Sequence, residues 1–260
     1  MQMIFDIGFH EGWDTDFYLR KGFRVVAVEA NPDFAAFGRG RFAEAIGRGQ
    51  LVLVGKAIAG RADESVAFYC RADKSGWSSL DRVVAERDGL ASQRVEVATT
   101  TIGRLFAEYG VPHFLKCDIE GGEDLVLEQI AREPMRSRFV SVESGPHCID
   151  LLVRAGYSRF QLVNQGHLRL FQPPEPPREG SFTDQEFSGK MSGLFGAELD
   201  PGGWVGEAEV RARYAQWQRL AAGEGNPIRR FALKKIGKWR RKTWLIPSGW
   251  LDIHARLDGR

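Results

Sequence analysis

Two short blocks of acidic and glycine residues carry the first chemistry legible in this chain. Asp6-Ile7-Gly8-Phe9-His10-Glu11-Gly12 ends one apolar run, and Glu29-Ala30-Asn31-Pro32 ends the next, Val25-Val26-Ala27-Val28. Glycine at 8 and 12 permits a tight turn that brings backbone N–H groups close to a ligand, and an acidic side chain ending the following strand can accept both hydroxyls of a ribose. Dinucleotide enzymes prefer G-x-G-x-x-G, whereas this chain has D-x-G-x-x-x-G. An anionic Asp6 inside the loop suits a ligand with a cationic amino group and no pyrophosphate, and S-adenosylmethionine is such a ligand. Glu29 is then the ribose acceptor, flanked by Ala30 and Asn31, while Asp6, Gly8, His10, Gly12 and Thr15 surround the methionine part. His10 could touch the cofactor, approach a second substrate, or simply stiffen the loop.

A third block, Leu115-Lys116-Cys117-Asp118-Ile119-Glu120-Gly121-Gly122-Glu123, ends a later apolar run. Lys116, Asp118 and Glu120 alternate, so a persisting strand puts them on one face at its carboxyl end, where open α/β sheets bind ligands. Glu120 and Glu123 also suit the first turn of a helix, whose dipole they counter. Lys116 is a candidate ion-pair partner for one of these acids. Transfer of the sulfonium methyl group needs alignment, exclusion of water and removal of the acceptor's proton. Asp118, Glu120, Glu143 and His147 are the candidates for acceptor binding and proton removal. Asp118, Glu143 and His147 include hard ligands suited to a divalent cation such as Mg²⁺, but no close ligand cluster is visible and no metal site is assigned. Ala57 and Ile58 follow the third strand, where an adenine ring commonly packs in similar folds.

The elements that must position these residues alternate along the chain. Strands are expected at residues 3–8, 24–29, 51–54, 66–69, 94–100, 114–118 and 139–143, with helices from near Asp14, over 34–47, 102–109 and 123–131. Asp14-Thr15-Asp16 supplies capping oxygens for the first helix. Two further strands, near 159–163 and 168–171, are expected to close the sheet as an antiparallel edge pair. The alternation predicts an α/β fold with a doubly wound, mostly parallel seven-stranded sheet, Rossmann-like, followed by a C-terminal extension. Residues 1–172 form the expected cofactor-binding domain and 173–260 the extension, opened by Pro173-Pro174-Glu175-Pro176-Pro177 and containing a helix near 205–222.

Composition sets the outer limits. The 260 residues are 43% hydrophobic and 27% charged with a net charge of +2, an ordinary globular balance, and no apolar run approaches the length of a membrane span. Cys70, Cys117 and Cys148 suit neither a disulfide framework nor a zinc site, and the N-terminus shows no signal-peptide pattern, which together predict a cytoplasmic protein. The basic stretch 229–242 interleaves Lys and Arg with Phe231, Leu233, Ile236 and Trp239. It admits a solvated helix face, peripheral contact with the anionic inner face of a membrane, or an acidic glycan or nucleic acid. Nucleic acid is disfavoured because no nucleic-acid-binding motif accompanies it. Oligomeric state is not legible.

Together the opening block, Val28-Glu29-Ala30-Asn31-Pro32 and Leu115 to Glu123 resemble the FkbM family of S-adenosylmethionine-dependent methyltransferases, over about residues 3 to 165. The tail from Ser188 through Trp250-Leu251-Asp252-Ile253-His254-Ala255-Arg256 is similar to tails of some bacterial members, and Ser75-Gly76-Trp77-Ser78-Ser79 resembles a serine-rich loop of the family. The resemblance implies a class I methyltransferase fold and O-methylation of a hydroxyl on a saccharide or glycoconjugate precursor, as in polysaccharide biosynthesis. Two other functions stay open. An N-methyltransferase would often carry an Asn- or Asp-Pro-Pro-aromatic element where this chain reads Asp118-Ile119-Glu120-Gly121, and a membrane-surface module could keep the fold without catalysis.

Overall fold

The computed structural model describes residues 1–143, 145–224, 231, 233–236 and 242–258. The chain divides into two compact units, Met1–Arg138 and Phe139–Arg260. A seven-stranded, mostly parallel sheet draws on both, and a three-stranded sheet lies in the first.

In the first unit the elements are β1 (Met3–Ile7), α1 (Trp13–Arg20), β2 (Arg24–Val28), α2 (Pro32–Arg41), α3 (Ala43–Gly47), β3 (Leu51–Val54), β4 (Ala57–Ile58), β5 (Ser65–Cys70), α4 (Arg82–Ala85), β6 (Gln93–Thr100), α5 (Ile102–Tyr109), β7 (Phe114–Cys117) and α6 (Glu123–Arg132). Its large-sheet strands run in the order β3-β2-β1-β7, all parallel. Ile4, Phe5, Val25, Val26, Ala27 and Leu115 are wholly buried, as continuous apolar runs must be when helices cover both faces of a parallel sheet. The small sheet, β4-β6-β5, pairs β5 and β6 antiparallel around the Ser75–Trp77 turn.

Three local expectations for this unit are corrected. Helix α1 has no side-chain cap: Gly12, at φ 75°, precedes it, while Asp14 and Thr15 are buried in contacts of their own. The single helix expected over 34–47 is two, because Phe42 leaves helical geometry after a run carrying Gly38 and Gly40, both poor helix formers. Strand β7 stops at Cys117, so Glu120 does not continue the alternating face of Lys116 and Asp118.

The second unit holds β8 (Phe139–Glu143), α7 (His147–Arg154), β9 (Arg159–Asn164), α8 (Glu207–Ala221) and β10 (Leu251–Arg256). Its strand order is β8-β10-β9, with β10 antiparallel to both neighbours. The edge pair is therefore β9 with β10, not with residues 168–171. The latter lie at a 3-10 turn, Gln165–Leu170, which the Asn164 side chain opens by accepting the Gly166 N–H at 3.0 Å. That local bond outcompetes the two-residue alternation of the sequence. The wholly buried Asn164 also donates to the carbonyls of Ile246 at 3.1 Å and Ser248 at 2.8 Å, which anchors the chain entering β10. Most of the basic stretch 229–242 lies outside the described residues. Among the described residues no helix is long and apolar enough to cross a membrane.

Candidate functional site

Strands β1, β2 and β7 bring the three blocks to one sheet edge. Gly8 and Phe9 donate their N–H groups to the Val28 carbonyl at 3.0 and 3.1 Å, and Asp118 donates to Ile7 at 2.9 Å. The approach at Gly8 is too close for any other residue. A Cβ there would lie 1.9 Å from the Asp118 carbonyl oxygen, and its φ of 96° independently favours glycine. His10 holds φ 50°, an uncommon conformation for a residue with a side chain.

Glu29 fastens this turn to the next. Its Oε2 accepts the His10 N–H at 2.6 Å and its Oε1 the Asn31 N–H at 2.7 Å, so one carboxyl sets both loops. Burial pushes its pKa up to about 7 against the pull of those two donors. Asn31 caps α2 by accepting the Asp33 N–H at 3.0 Å. Each Glu29 oxygen keeps a second lone pair, which leaves capacity for two ribose hydroxyls.

Lys116 is the electrostatic centre of the site. Its Nζ lies 3.0 Å from Asp14, 3.3 Å from Asp118 and 3.4 Å from Asp6, so the expected single ion pair is a cluster of four. Burial works against the ammonium charge, but the three carboxyls outweigh it and hold the Lys116 pKa well above its usual range. Asp6 is sealed from solvent, accepts the Thr15 hydroxyl at 2.6 Å, and has its pKa raised, chiefly by burial. Asp118 is the open member, its side chain 39% exposed.

Segment 71–92 touches both sides of the site. Ser75 Oγ lies 2.8 Å from His10 Nε2, the His10 ring packs 4.4 Å from Phe34, and Ser79 Oγ donates to the Glu120 carbonyl at 2.6 Å. Arg87 pairs with the Glu120 carboxyl at 3.1 Å and lies 3.7 Å from the Trp77 ring centre. Buried Arg71 braces the segment through Asp73, Asp88 and the Ala85 carbonyl. Burial raises the Glu120 pKa against Arg87 and pushes Glu123 up to about 8, with Asp118 and Glu120 adding like charge.

The first unit thus gathers Asp6, Gly8, His10, Gly12, Thr15, Glu29, Ala30, Asn31, Asp118 and Glu120 around one edge. Ala57 and Ile58 form β4, both 3% exposed, and Ala57 packs with Phe68 and Val97. Glu143 ends β8 and His147 begins α7 in the second unit. Sequence reasoning missed Asp14, which it read as a cap, and Arg87, whose distance along the chain leaves no spacing signal. It also saw Glu123 only as a helix-start residue. Asp14 in the first turn of α1, with Lys116 already a candidate ion-pair partner, was the one usable hint.

The residues fit an adenosyl cofactor: each Glu29 oxygen keeps a lone pair for a ribose hydroxyl, and the surrounding carboxyls are acidic, as a cationic ligand requires. A search of curated proteins gives no match. Among solved structures, an FkbM methyltransferase from Methylobacillus flagellatus KT is 15% identical over 55% of this chain and 32% of its own, with a TM-score of 0.35. A precorrin-6y C5,15-methyltransferase from Geobacter metallireducens GS-15 is 12% identical over 71% of this chain and 75% of its own, with a TM-score of 0.36. The chain thus spans about a third of the first of these, and likenesses this faint add nothing to the sheet order and site already described. The sequence model of the Methyltransferase FkbM domain matches residues 6–157, more than half of this chain. The chain belongs to the FkbM methyltransferase family.

Proposed function

We propose that this methyltransferase uses S-adenosylmethionine and methylates an oxygen, a hydroxyl of a saccharide or glycoconjugate precursor. The observation that carries the cofactor reading is the juxtaposition of the glycine turn, Glu29 and the Lys116 carboxyl cluster at the carboxyl ends of three adjacent parallel strands. The bound cofactor supplies an electrophilic methyl group on a positively charged sulfur. Glu29 holds the ribose while keeping both loops in register. Asp6 and Asp14 fix Lys116, and Lys116 fixes one oxygen of Asp118, which orients that carboxyl without consuming its exposed side. Asp118 and Glu120 bind the acceptor and remove its proton, since a neutral hydroxyl is a poor nucleophile. The oxygen acceptor rests on the residue resemblance and on Asp118-Ile119-Glu120-Gly121 standing where an N-methyltransferase would often carry Pro-Pro-aromatic.

Isothermal titration with S-adenosylmethionine, S-adenosylhomocysteine and NAD tests the cofactor: both adenosyl ligands bind and NAD does not. NAD binding alone overturns it. Transfer of labelled methyl from S-adenosylmethionine to a hydroxyl-bearing glycan pool, against an amine-bearing pool, tests the acceptor class.

A further inference from the structure

His10 holds its left-handed backbone, φ 50°, inside the glycine turn, a conformation that a residue with a Cβ keeps only where its surroundings fix it. Two of the groups that fix it are close in the chain. Its N–H donates to Glu29 Oε2 at 2.6 Å, and its ring packs 4.4 Å from that of Phe34 on α2. The third comes from 65 residues away, where Ser75 Oγ lies 2.8 Å from His10 Nε2. Ser75 itself stands on a braced platform. It opens the Ser75–Trp77 turn, and just beyond that turn Ser79 exchanges two backbone hydrogen bonds with Tyr69 of β5, at 2.8 and 3.1 Å. The Arg71 N–H donates to Ser78 Oγ at 3.0 Å, while the sealed Arg71 guanidinium binds Asp73, Asp88 and the Ala85 carbonyl. Ser79 and Arg87 tie the same segment to Glu120. The segment therefore reaches from the turn after β7 to the turn after β1, the two loops that flank the place where strand order departs from chain order, and open α/β sheets take their ligands at such a place.

Resting on the cofactor reading above, we propose that Ser75 is a positioning residue for the methyl donor, acting through His10. Ser75 holds the His10 ring, the ring holds the backbone at φ 50°, and that backbone keeps its N–H on Glu29 Oε2. The Glu29 carboxyl is thereby aimed at the ribose hydroxyls before a ligand arrives, and support of this kind around a binding group is what makes its geometry precise. The platform is fixed by bonds that do not involve His10, so it sets the turn rather than follows it. The part of the ligand that feels Ser75 is the ribose and not the sulfur. Donor and demethylated product carry the same ribose and depend on Ser75 alike.

The test is binding to the full chain. S-adenosylmethionine and S-adenosylhomocysteine are titrated into wild type, Ser75→Ala, Ser75→Thr, His10→Asn and the Ser75→Ala/His10→Asn double variant; asparagine is chosen because it tolerates the left-handed backbone. Ser75→Ala should weaken both ligands about fivefold, the worth of one neutral hydrogen bond, and Ser75→Thr, which keeps the hydroxyl, should restore them. His10→Asn should weaken them too, and Ser75→Ala on top of it should cost nothing more, because the two residues act along one path. The 2′,3′-dideoxy analogue of S-adenosylhomocysteine, measured by competition, should bind wild type and Ser75→Ala equally, whereas a general loosening of the loop would weaken it as well. Unchanged affinity in Ser75→Ala, no rescue by Ser75→Thr, additive losses with His10→Asn, or an equal loss for the dideoxy analogue overturns the proposal while leaving the cofactor reading in place. Failure of both adenosyl ligands to bind wild type instead removes the cofactor reading and this proposal with it.

Discussion

The two units bury polar groups in opposite ways. In the first, three carboxyls converge on Lys116 within ion-pair distance. In the second, β10 places His254 between Ser141 of β8 and Gln161 of β9, a cross-strand row of buried polar side chains on one face. His254 Nε2 and Gln161 Oε1 have no hydrogen-bond partner among the described residues. Burial alone drives the His254 pKa down to about 3. Paired charges can be kept ionised inside a protein, whereas an isolated titratable group is kept neutral. The contrast marks the first unit as the one arranged for charge chemistry.

Removing Lys116 should break the comparison most severely. Lys116→Met leaves three carboxyls at a buried site without their cation, and loss of one partner from such a cluster costs about 3–5 kcal/mol. Urea unfolding should show that loss near neutral pH, with partial recovery in acid as the acids take up protons. A variant as stable as wild type would mean the cluster is not the organising element described above.

Gly8→Ala comes next. The added Cβ meets the Asp118 carbonyl at 1.9 Å and the backbone must hold φ 96°, so strain and overpacking together should cost about 3 kcal/mol. Cofactor affinity should fall with it, because relief of the clash moves the Asp118 backbone. Gly76→Ala, where a Cβ meets nothing within 4 Å, is the matched control and should be near neutral.

The pH dependence of the units should differ in sign. Burial raises the Glu29 pKa from 4.5 to about 7, so the folded first unit holds a proton that the unfolded chain releases; its stability falls as pH rises through that window. His254 moves from 6.5 down to about 3, so its contribution is intact above 6.5 and is lost as pH falls below it. At about pH 5 the loss in the second unit should be about 2 kcal/mol relative to neutral pH. Amide hydrogen exchange on β9 and β10, corrected for intrinsic rates, would read it, and His254→Leu should abolish the acid sensitivity. Persistence of the same slope in that variant would move the cause elsewhere.

Only the first unit's side of this contrast was legible in the sequence, and that in part. The strands ending in Asp6, Glu29 and Asp118 announce themselves as apolar runs closed by acids, because a parallel strand covered on both faces needs such a run. Asp118 was legible as a candidate partner of Lys116, but Asp14 was not, since it reads equally well as a helix cap and only the left-handed Gly12 turn removes it from that duty. The place of β10 was hidden for another reason. Leu251–Arg256 reaches β8 and β9 across a long stretch of chain, while Leu168–Phe171 offered a nearer alternation that the Asn164 turn consumes. Local periodicity ranks candidate strands; side-chain bonds and distant segments decide between them.

Arg87 supplies the mildest and most discriminating perturbation. It too is a cation facing an acid of the first unit, but the two side chains of the Arg87–Glu120 pair are 34% and 32% exposed, against 6% for Lys116. Solvent screens such a pair, so Arg87→Ala should cost only about 0.5 kcal/mol, and added salt should shrink the difference further. The segment is also held by Ser79 on the Glu120 carbonyl and by buried Arg71, so the fold has no reason to follow Arg87. What should change is Glu120 itself. Its pKa is already raised by burial against the pull of Arg87, and without that cation it rises further, so any activity that requires ionised Glu120 shifts its acid limb to higher pH. A pH–rate profile of Arg87→Ala beside its unfolding curve would then show a displaced limb with nearly unchanged stability. A large stability loss with an unmoved limb would place Arg87 with Lys116 as a structural cation, and the division between sealed and open charges in the first unit would have to be redrawn.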